Sequence, residues 1–277
     1  MGYLRPRSIE EAVSALAARP WIVLAGGTDH FPARVGPRPD EDIIDISALA
    51  DLRGIIASDK GWRIGALTTW TTVARTDLPP LFDGLKLAAR EVGGAQIQNR
   101  GTVGGNLCNA SPAADGIPPL LSLDATVELA SATGTRDVPL AEFVQGNRRT
   151  ARRGDELMTA IFVPRPRHKA RGDFLKLGAR RYLVISIAMA AGVIERTDDH
   201  TVAAARIAVG ACSAAAQRLP ALERALAGQP IDKALASRAT EAHLAALSPI
   251  DDVRGSGSYR REAALTLVRR LIDRLAA

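Results

Sequence analysis

Apolar residues near the start of the chain recur at helical spacing. Ile9, Ala12, Val13, Leu16 and Ala17 share one face behind Ser8, and Glu11 completes a capping box, so a helix is predicted that Pro20 ends. Trp21 to Ala25 is instead a short unbroken apolar run, the pattern of a buried strand, and it leads into Gly26-Gly27. Asp42 to Ser47 reads as a second strand. From residue 54 the texture changes. Gly54–Ser58 and Trp62–Ala66 flank Asp59-Lys60-Gly61, while Ala125–Ala130 and Val138–Val144 bracket Gly134; each pair predicts a hairpin. Thr69–Arg75 and Leu85–Val92 carry helical spacing, Pro118-Pro119 opens a short apolar helix over Leu120–Leu123, and Glu156–Val163 reads as a strand ended by Pro164.

Pro164 to Gly172 is rich in Pro, Gly and Arg, the texture of a domain boundary. The chain is therefore divided into residues 1–167, with subdomains of about 1–53 and 54–167, and residues 168–277. In the second part Asp173–Ala179, Ile185–Ile194 and Ala204–Cys212 read as strands of an antiparallel sheet. Helices are expected around Leu219–Leu226, Lys233–Leu247 and Tyr259–Leu275, the last approached by the flexible Gly255-Ser256-Gly257-Ser258. The fold class is α+β.

Composition narrows the function classes. With 277 residues, 47% hydrophobic and 24% charged, the chain has the make-up of a globular protein large enough for two or three subdomains. No apolar run reaches the roughly 18–20 residues of a membrane span, and MGYLRPRSIEE has no apolar leader core, so a cytoplasmic location is expected. The net charge of +6 raises nucleic-acid binding. Its distribution argues against that: arginines are scattered, lysines are few, and no basic stripe is interleaved with aromatics. The denser clusters, Arg148-Arg149…Arg152-Arg153 and Arg165…Arg171, read as solvated loop or subunit contact surface. Cys108 and Cys212 are too few for a disulfide framework or for the roughly four thiolates of an iron–sulfur cluster, and each reads as a small buried hydrophobe. Any cluster must sit on another chain.

Residues 101–115, Gly-Thr-Val-Gly-Gly-Asn-Leu-Cys-Asn-Ala-Ser-Pro-Ala-Ala-Asp, carry the most chemistry. Their glycines remove side-chain bulk, so backbone N–H groups are able to approach a pyrophosphate. Thr102, Asn106, Asn109, Ser111 and Asp115 offer polar partners for a ribityl chain or ribose. A second signature, Ala25-Gly26-Gly27-Thr28-Asp29, lies upstream, so a long ligand held at more than one point, a dinucleotide, is the natural candidate. Neither segment has G-x-G-x-x-G spacing with a ribose carboxylate beyond it, which disfavours a Rossmann site. P-loop, G-x-S-x-G and H-E-x-x-H patterns are missing as well. Taken alone, either segment also reads as a tight turn between strands.

The order and content of the pair resemble the FAD-binding medium subunit of the molybdenum hydroxylases, the xanthine dehydrogenase, carbon monoxide dehydrogenase and nicotine dehydrogenase family. Gly154–Pro164, Lys176–Arg181 and Ser258–Arg261 extend the likeness over nearly the whole chain. It implies a FAD-binding domain of the vanillyl-alcohol-oxidase or PCMH type, built of two subdomains, and a CO-dehydrogenase-flavoprotein-like C-terminal domain. By that likeness the backbone of Val23, Leu24, Ala25, Gly26, Gly27, Thr28 and Asp29 and of Thr102, Val103, Gly104, Gly105 and Asn106 binds the pyrophosphate. Asp115 accepts from the adenosine end, Met158 or Leu157 packs near a flavin or adenine ring, and Lys176 approaches the isoalloxazine. The family's commoner loop has Gln or His and then Ser after Ala-Gly-Gly, and an apolar residue where His30 stands; here Thr28-Asp29 follows the glycines.

The resemblance further implies a partnership. Molybdopterin cofactor would lie on a large partner, [2Fe–2S] clusters on a small one, and the assembly would be a dimer of heterotrimers, a heterohexamer. This chain would collect electrons on FAD for an external acceptor, with no catalytic acid–base pair and no metal of its own. A self-contained FAD-dependent oxidoreductase and a flavin-free assembly or docking subunit are the alternatives.

Overall fold

The computed structural model describes residues 2–34 and 41–277. β1 (Tyr3–Leu4), α1 (Ile9–Ala18), β2 (Ile22–Leu24) and β3 (Ile43–Asp45) form the first unit, a parallel sheet in the order β1-β3-β2. Ala12, Val13 and Leu16 of α1 pack on Ile44 and Ile46. Ser8 caps α1 by accepting from the Glu11 N–H, but the Glu11 carboxylate takes the N–H of Arg7 instead of closing the box on Ser8. The apolar run at 21–25 was expected to be buried. It is a three-residue edge strand, with Ile22 40% exposed, because among the described residues only β3 pairs with it.

The second unit contains β4 (Ile55–Ser58), β5 (Gly61–Gly65), α2 (Trp70–Arg75), α3 (Asp83–Glu91), α4 (Ala95–Arg100), α5 (Val103–Asn109), α6 (Ile117–Ser122), β6 (Thr126–Ser131), β7 (Gly134–Pro139), α7 (Leu140–Phe143), β8 (Val144–Gly146), β9 (Arg149–Thr150) and β10 (Leu157–Pro164). Its antiparallel sheet runs β4-β5-β10-β6-β7, and Trp70, Phe82, Phe143 and Leu120 are among the side chains closing its core. The second hairpin ends at Pro139, earlier than the pattern at 138–144 indicates. Proline has no N–H for the ladder, and Leu140 and Phe143 then turn into the core as α7.

The third unit is an antiparallel sheet of β11 (Lys169–Leu177), β12 (Ala188–Arg196), β13 (Val202–Gly210) and β14 (Gln217–Arg218), covered by α8 (Pro220–Leu226) and α9 (Gly257–Ala276). Ala264, Leu267, Val268, Leu271 and Ile272 of α9 close on it. The helix expected over 233–247 is instead two 3-10 turns, Leu235–Arg238 and Glu241–Leu244. Thr240 interrupts it by donating its N–H to the His243 ring rather than to a carbonyl one turn back. Ser256 caps α9, so Gly257 and Ser258 are already helical. Arg206 and Arg218 rivet this unit to the second, donating to the carbonyls of Ser122 and Leu121 and pairing with Asp124. Among the described residues no helix is long and apolar enough to cross a membrane.

Candidate functional site

A cleft of about 1120 Å³ lies where the three units meet. Its walls are β2 and the turn after it, α5 with the loop to Asp115, the β8–β9 hairpin with the start of β10, and Leu183–Ile185. The two glycine segments touch here. A Cβ on Gly26 would run into the Arg100 carbonyl, lying 2.8 Å from its carbon and 3.1 Å from the Gly101 Cα; a Cβ on Gly101 would lie 3.3 Å from Thr28 Oγ1. Gly27 sits at φ +74, the left-handed region open to glycine. Among the described residues nothing accepts from the backbone N–H groups of Gly26, Gly27, Thr28 and Asp29. Four successive donors beside a cleft form a ready concavity for an anion.

The second glycine segment, a tight turn or an anion cradle by sequence, opens instead with the helix α5. Thr102 caps it, accepting from the Gly105 N–H at 3.1 Å. Val103 donates to Thr68 O, Gly104 to Ala66 O and Asn106 to Thr102 O, at 2.9, 2.9 and 3.0 Å. The amides of 103–106 are thus committed inside the protein, and Val103 is a core residue away from the cleft. Gly104 is needed because a Cβ there would press on Ala66. Gly105 faces open space apart from Thr102 Oγ1. What this segment leaves for a ligand is a side chain: Asn106 lines the cleft, and its Oδ1 is buried without a partner.

Asp115 and Lys176 form one buried ion pair, Oδ2 to Nζ at 2.7 Å, with Ser186 Oγ donating to Asp115 Oδ1 at 2.7 Å and Lys176 also reaching the Glu91 carbonyl. Burial pushes the Asp115 carboxyl up, and the charge of Lys176 and the hydroxyl of Ser186 pull it back. The resemblance sends Asp115 to the adenosine end and Lys176 to the flavin ring. In the structure they share one point, and Lys176 lies behind Asp115 rather than on the cleft wall. Val23, Leu24, Ala25, Gly26, Gly27, Thr28, Asp29, Thr102, Gly104, Gly105, Leu157 and Met158 do line the cleft. His30 lines it too, edge-on to Phe31, its basicity lowered by burial and by Arg34.

Arg148, Arg149 and Arg152, a solvated loop or contact surface by sequence, all line the cleft at and just after the β8–β9 hairpin; Arg148 and Arg149 remain exposed and Arg152 is half-buried. Only a two-residue strand and a left-handed Arg148 at φ 55 bring them there, a geometry with no pattern in the sequence. Cys108 lies on the same wall, its thiol pushed up to about 11 by burial, while Cys212 is buried in the third unit with its thiol likewise at about 11. Neither is poised as a nucleophile.

Residues 1–166 match the family model of the FAD binding domain in molybdopterin dehydrogenase, and residues 173–275 match the CO dehydrogenase flavoprotein C-terminal domain. The chain belongs to this FAD-binding family. Relatives of this flavoprotein include the nicotinate dehydrogenase FAD-subunit of Eubacterium barkeri, 36% identical over 71% of this chain and 69% of that one. The carbon monoxide dehydrogenase medium chain of Afipia carboxidovorans is 32% identical over 99% and 96%. Among solved structures, reconstituted CO dehydrogenase from Oligotropha carboxidovorans superposes with a TM-score of 0.91 at 29% identity, covering 100% of this chain and 97% of that one. Quinoline 2-oxidoreductase from Pseudomonas putida 86 gives 0.87 at 28%, covering 100% and 96%. The flavoprotein is thus an oxidoreductase subunit of the molybdenum hydroxylase family.

Proposed function

We propose that the cleft holds FAD in an extended conformation. The observation that carries this reading is the run of four unclaimed amides, Gly26 to Asp29, where the glycine segments touch, on the cleft that Asn106, with its orphaned Oδ1, also lines. The residues fit the group. The amides and the Thr28 and Thr102 hydroxyls suit a diphosphate, Asn106 Oδ1 suits a ligand hydroxyl, and added bulk at Gly26 would close the contact. Val23, Leu24 and Ala25 form the strand edge beside the diphosphate, and Met158 and Leu157 give a ring an apolar wall. The Asp115–Lys176 pair acts as a unit at one end. Asp115 receives a ligand hydroxyl there, and the charge of Lys176 pulls back the carboxyl that burial pushes up.

FAD, when bound, supplies the capacity to take electrons singly and release them in pairs. In this reading the chain is the electron-transfer subunit of a larger enzyme. Substrate is hydroxylated at a molybdopterin cofactor on a large partner, electrons cross [2Fe–2S] clusters on a small partner, and an external acceptor receives them here. The proposed domains are residues 1–167 and 168–277, and the proposed assembly is a cytoplasmic dimer of heterotrimers. Affinity isolation of the tagged chain from its own cells tests this. The expected result is co-isolation of a large molybdenum-containing chain and a small iron–sulfur chain, with the flavin bleached by the complex's substrate. A chain isolated alone that oxidises an organic substrate unaided would refute it.

A further inference from the structure

The arginine wall of the cleft is left unused by the reading above. Arg148, Arg149 and Arg152 line it, and among the described residues none of them has a carboxylate partner. Glu156, an acid on the same cleft, is already satisfied: its carboxylate accepts from Arg136 at 2.6 and 3.0 Å and from the Arg153 N–H at 2.7 Å. Arg152 is the member that is built in. It is half-buried, and its Nη1 donates to the Glu156 carbonyl at 2.6 Å. It lines the cleft together with Cys108 of α5, which is itself half-buried.

Another part of the cleft lining is apolar. There Leu183 and Ile185, 57% and 53% exposed, form an open rim, and the neighbouring Ser186 donates to Asp115 of the Asp115–Lys176 pair. A redox ring must be reached by its electron donor and acceptor, so it belongs at the open rim. With the ring placed at that rim, the nucleotide end of an extended FAD is assigned to the lining by Met158 and the half-buried Arg152. A purine is uncharged, but it presents an aromatic face on which a planar guanidinium lies well.

We propose that Arg152 grips the adenosine end of FAD, its guanidinium lying on the purine, and thereby makes this chain select FAD over FMN. The inference rests on the reading that the cleft holds FAD. The test uses the full-length chain stripped of flavin and titrated with FAD and with FMN by flavin fluorescence, as wild type, Arg152→Met and Arg153→Met. Arg153 is exposed and lies outside the cleft wall.

Arg152→Met is expected to weaken FAD about tenfold and leave FMN within about twofold, while Arg153→Met changes neither. Unchanged FMN binding also shows that the variant site is folded. FAD binding within about twofold of wild type, or FAD and FMN weakened alike, overturns the proposal. Should Arg152→Met bind neither flavin, Arg152→Lys decides, because it keeps the charge and loses the planar fork. A selective loss of FAD supports the grip, and unchanged affinity for both flavins overturns it. A wild-type chain that binds neither flavin fails the cleft reading instead.

Discussion

Replacing Gly26 by alanine is the sharpest perturbation the site offers. The added Cβ would meet the Arg100 carbonyl and lie 2.8 Å from its carbon and 3.1 Å from the Gly101 Cα. All of these are backbone atoms, so no rotamer change relieves the clash, and the glycine segments must move apart. Overpacking of this kind costs about 1–3 kcal/mol. Because the displaced atoms carry the unclaimed amides, that cost falls on FAD binding as well as on folding. It corresponds to a loss of affinity of about 5- to 150-fold. Two companions calibrate the argument. Gly105→Ala meets only Thr102 Oγ1 at 2.8 Å, a side chain that can shift at the expense of the α5 cap, so a smaller loss of stability than in Gly26→Ala is expected while FAD binds more weakly. Gly154→Ala has free space and an ordinary backbone angle, so both properties are expected to stay put. Thermal melts with and without FAD, together with fluorescence titration, read all three. Gly26→Ala with wild-type melting and an FAD Kd within about twofold of wild type would refute the claim that this contact sets the cleft.

Lys176→Met strands a buried carboxylate, and a loss of about 3–5 kcal/mol in urea unfolding is expected, largely recovered in the double variant Asp115→Asn, Lys176→Met. Its pH dependence has a definite sign. Burial raises the native Asp115 carboxyl, so the unfolded chain ionises first, and stability falls as pH climbs from about 4 towards the raised native value. Without Lys176 that fall should steepen and extend to higher pH; a flat difference between variant and wild type across this range contradicts the assignment. Asn106→Ala removes an oxygen that has no partner in the protein, so the melting temperature without flavin should barely change. FAD affinity should still drop by about tenfold, and a variant that melts early without loss of FAD affinity would count against a ligand role.

Much of the fold was legible in the chain because its periodicities agree with its punctuation. The Ser8-capped helix, the hairpin around Gly61 and the strand ended by Pro164 are present within a residue or two. The likeness of the paired glycine segments to the flavoprotein family was legible too. Tertiary contacts decided the remainder. Three glycines and two asparagines spanning residues 101–109 argue against a helix, and α5 forms because Thr102 caps it and Gly104 allows it to settle on Ala66. The run at 21–25 reads as buried because its hydrophobicity serves two surfaces: Trp21, Val23 and Ala25 pack on the core of the first unit while the run also lines the cleft. Arg148, Arg149 and Arg152 look like ordinary surface until the hairpin sets them on the rim of the cleft, and only packing reveals that Lys176 stands behind Asp115, sixty-one residues away in the chain.

The central claim is that this chain carries FAD in the cleft where its glycine segments meet. It is tested most directly by denaturing the purified chain and identifying and counting the released flavin. The account expects FAD, close to one per chain, and its loss in Gly26→Ala. A chain that releases no flavin and takes up no added FAD would contradict it.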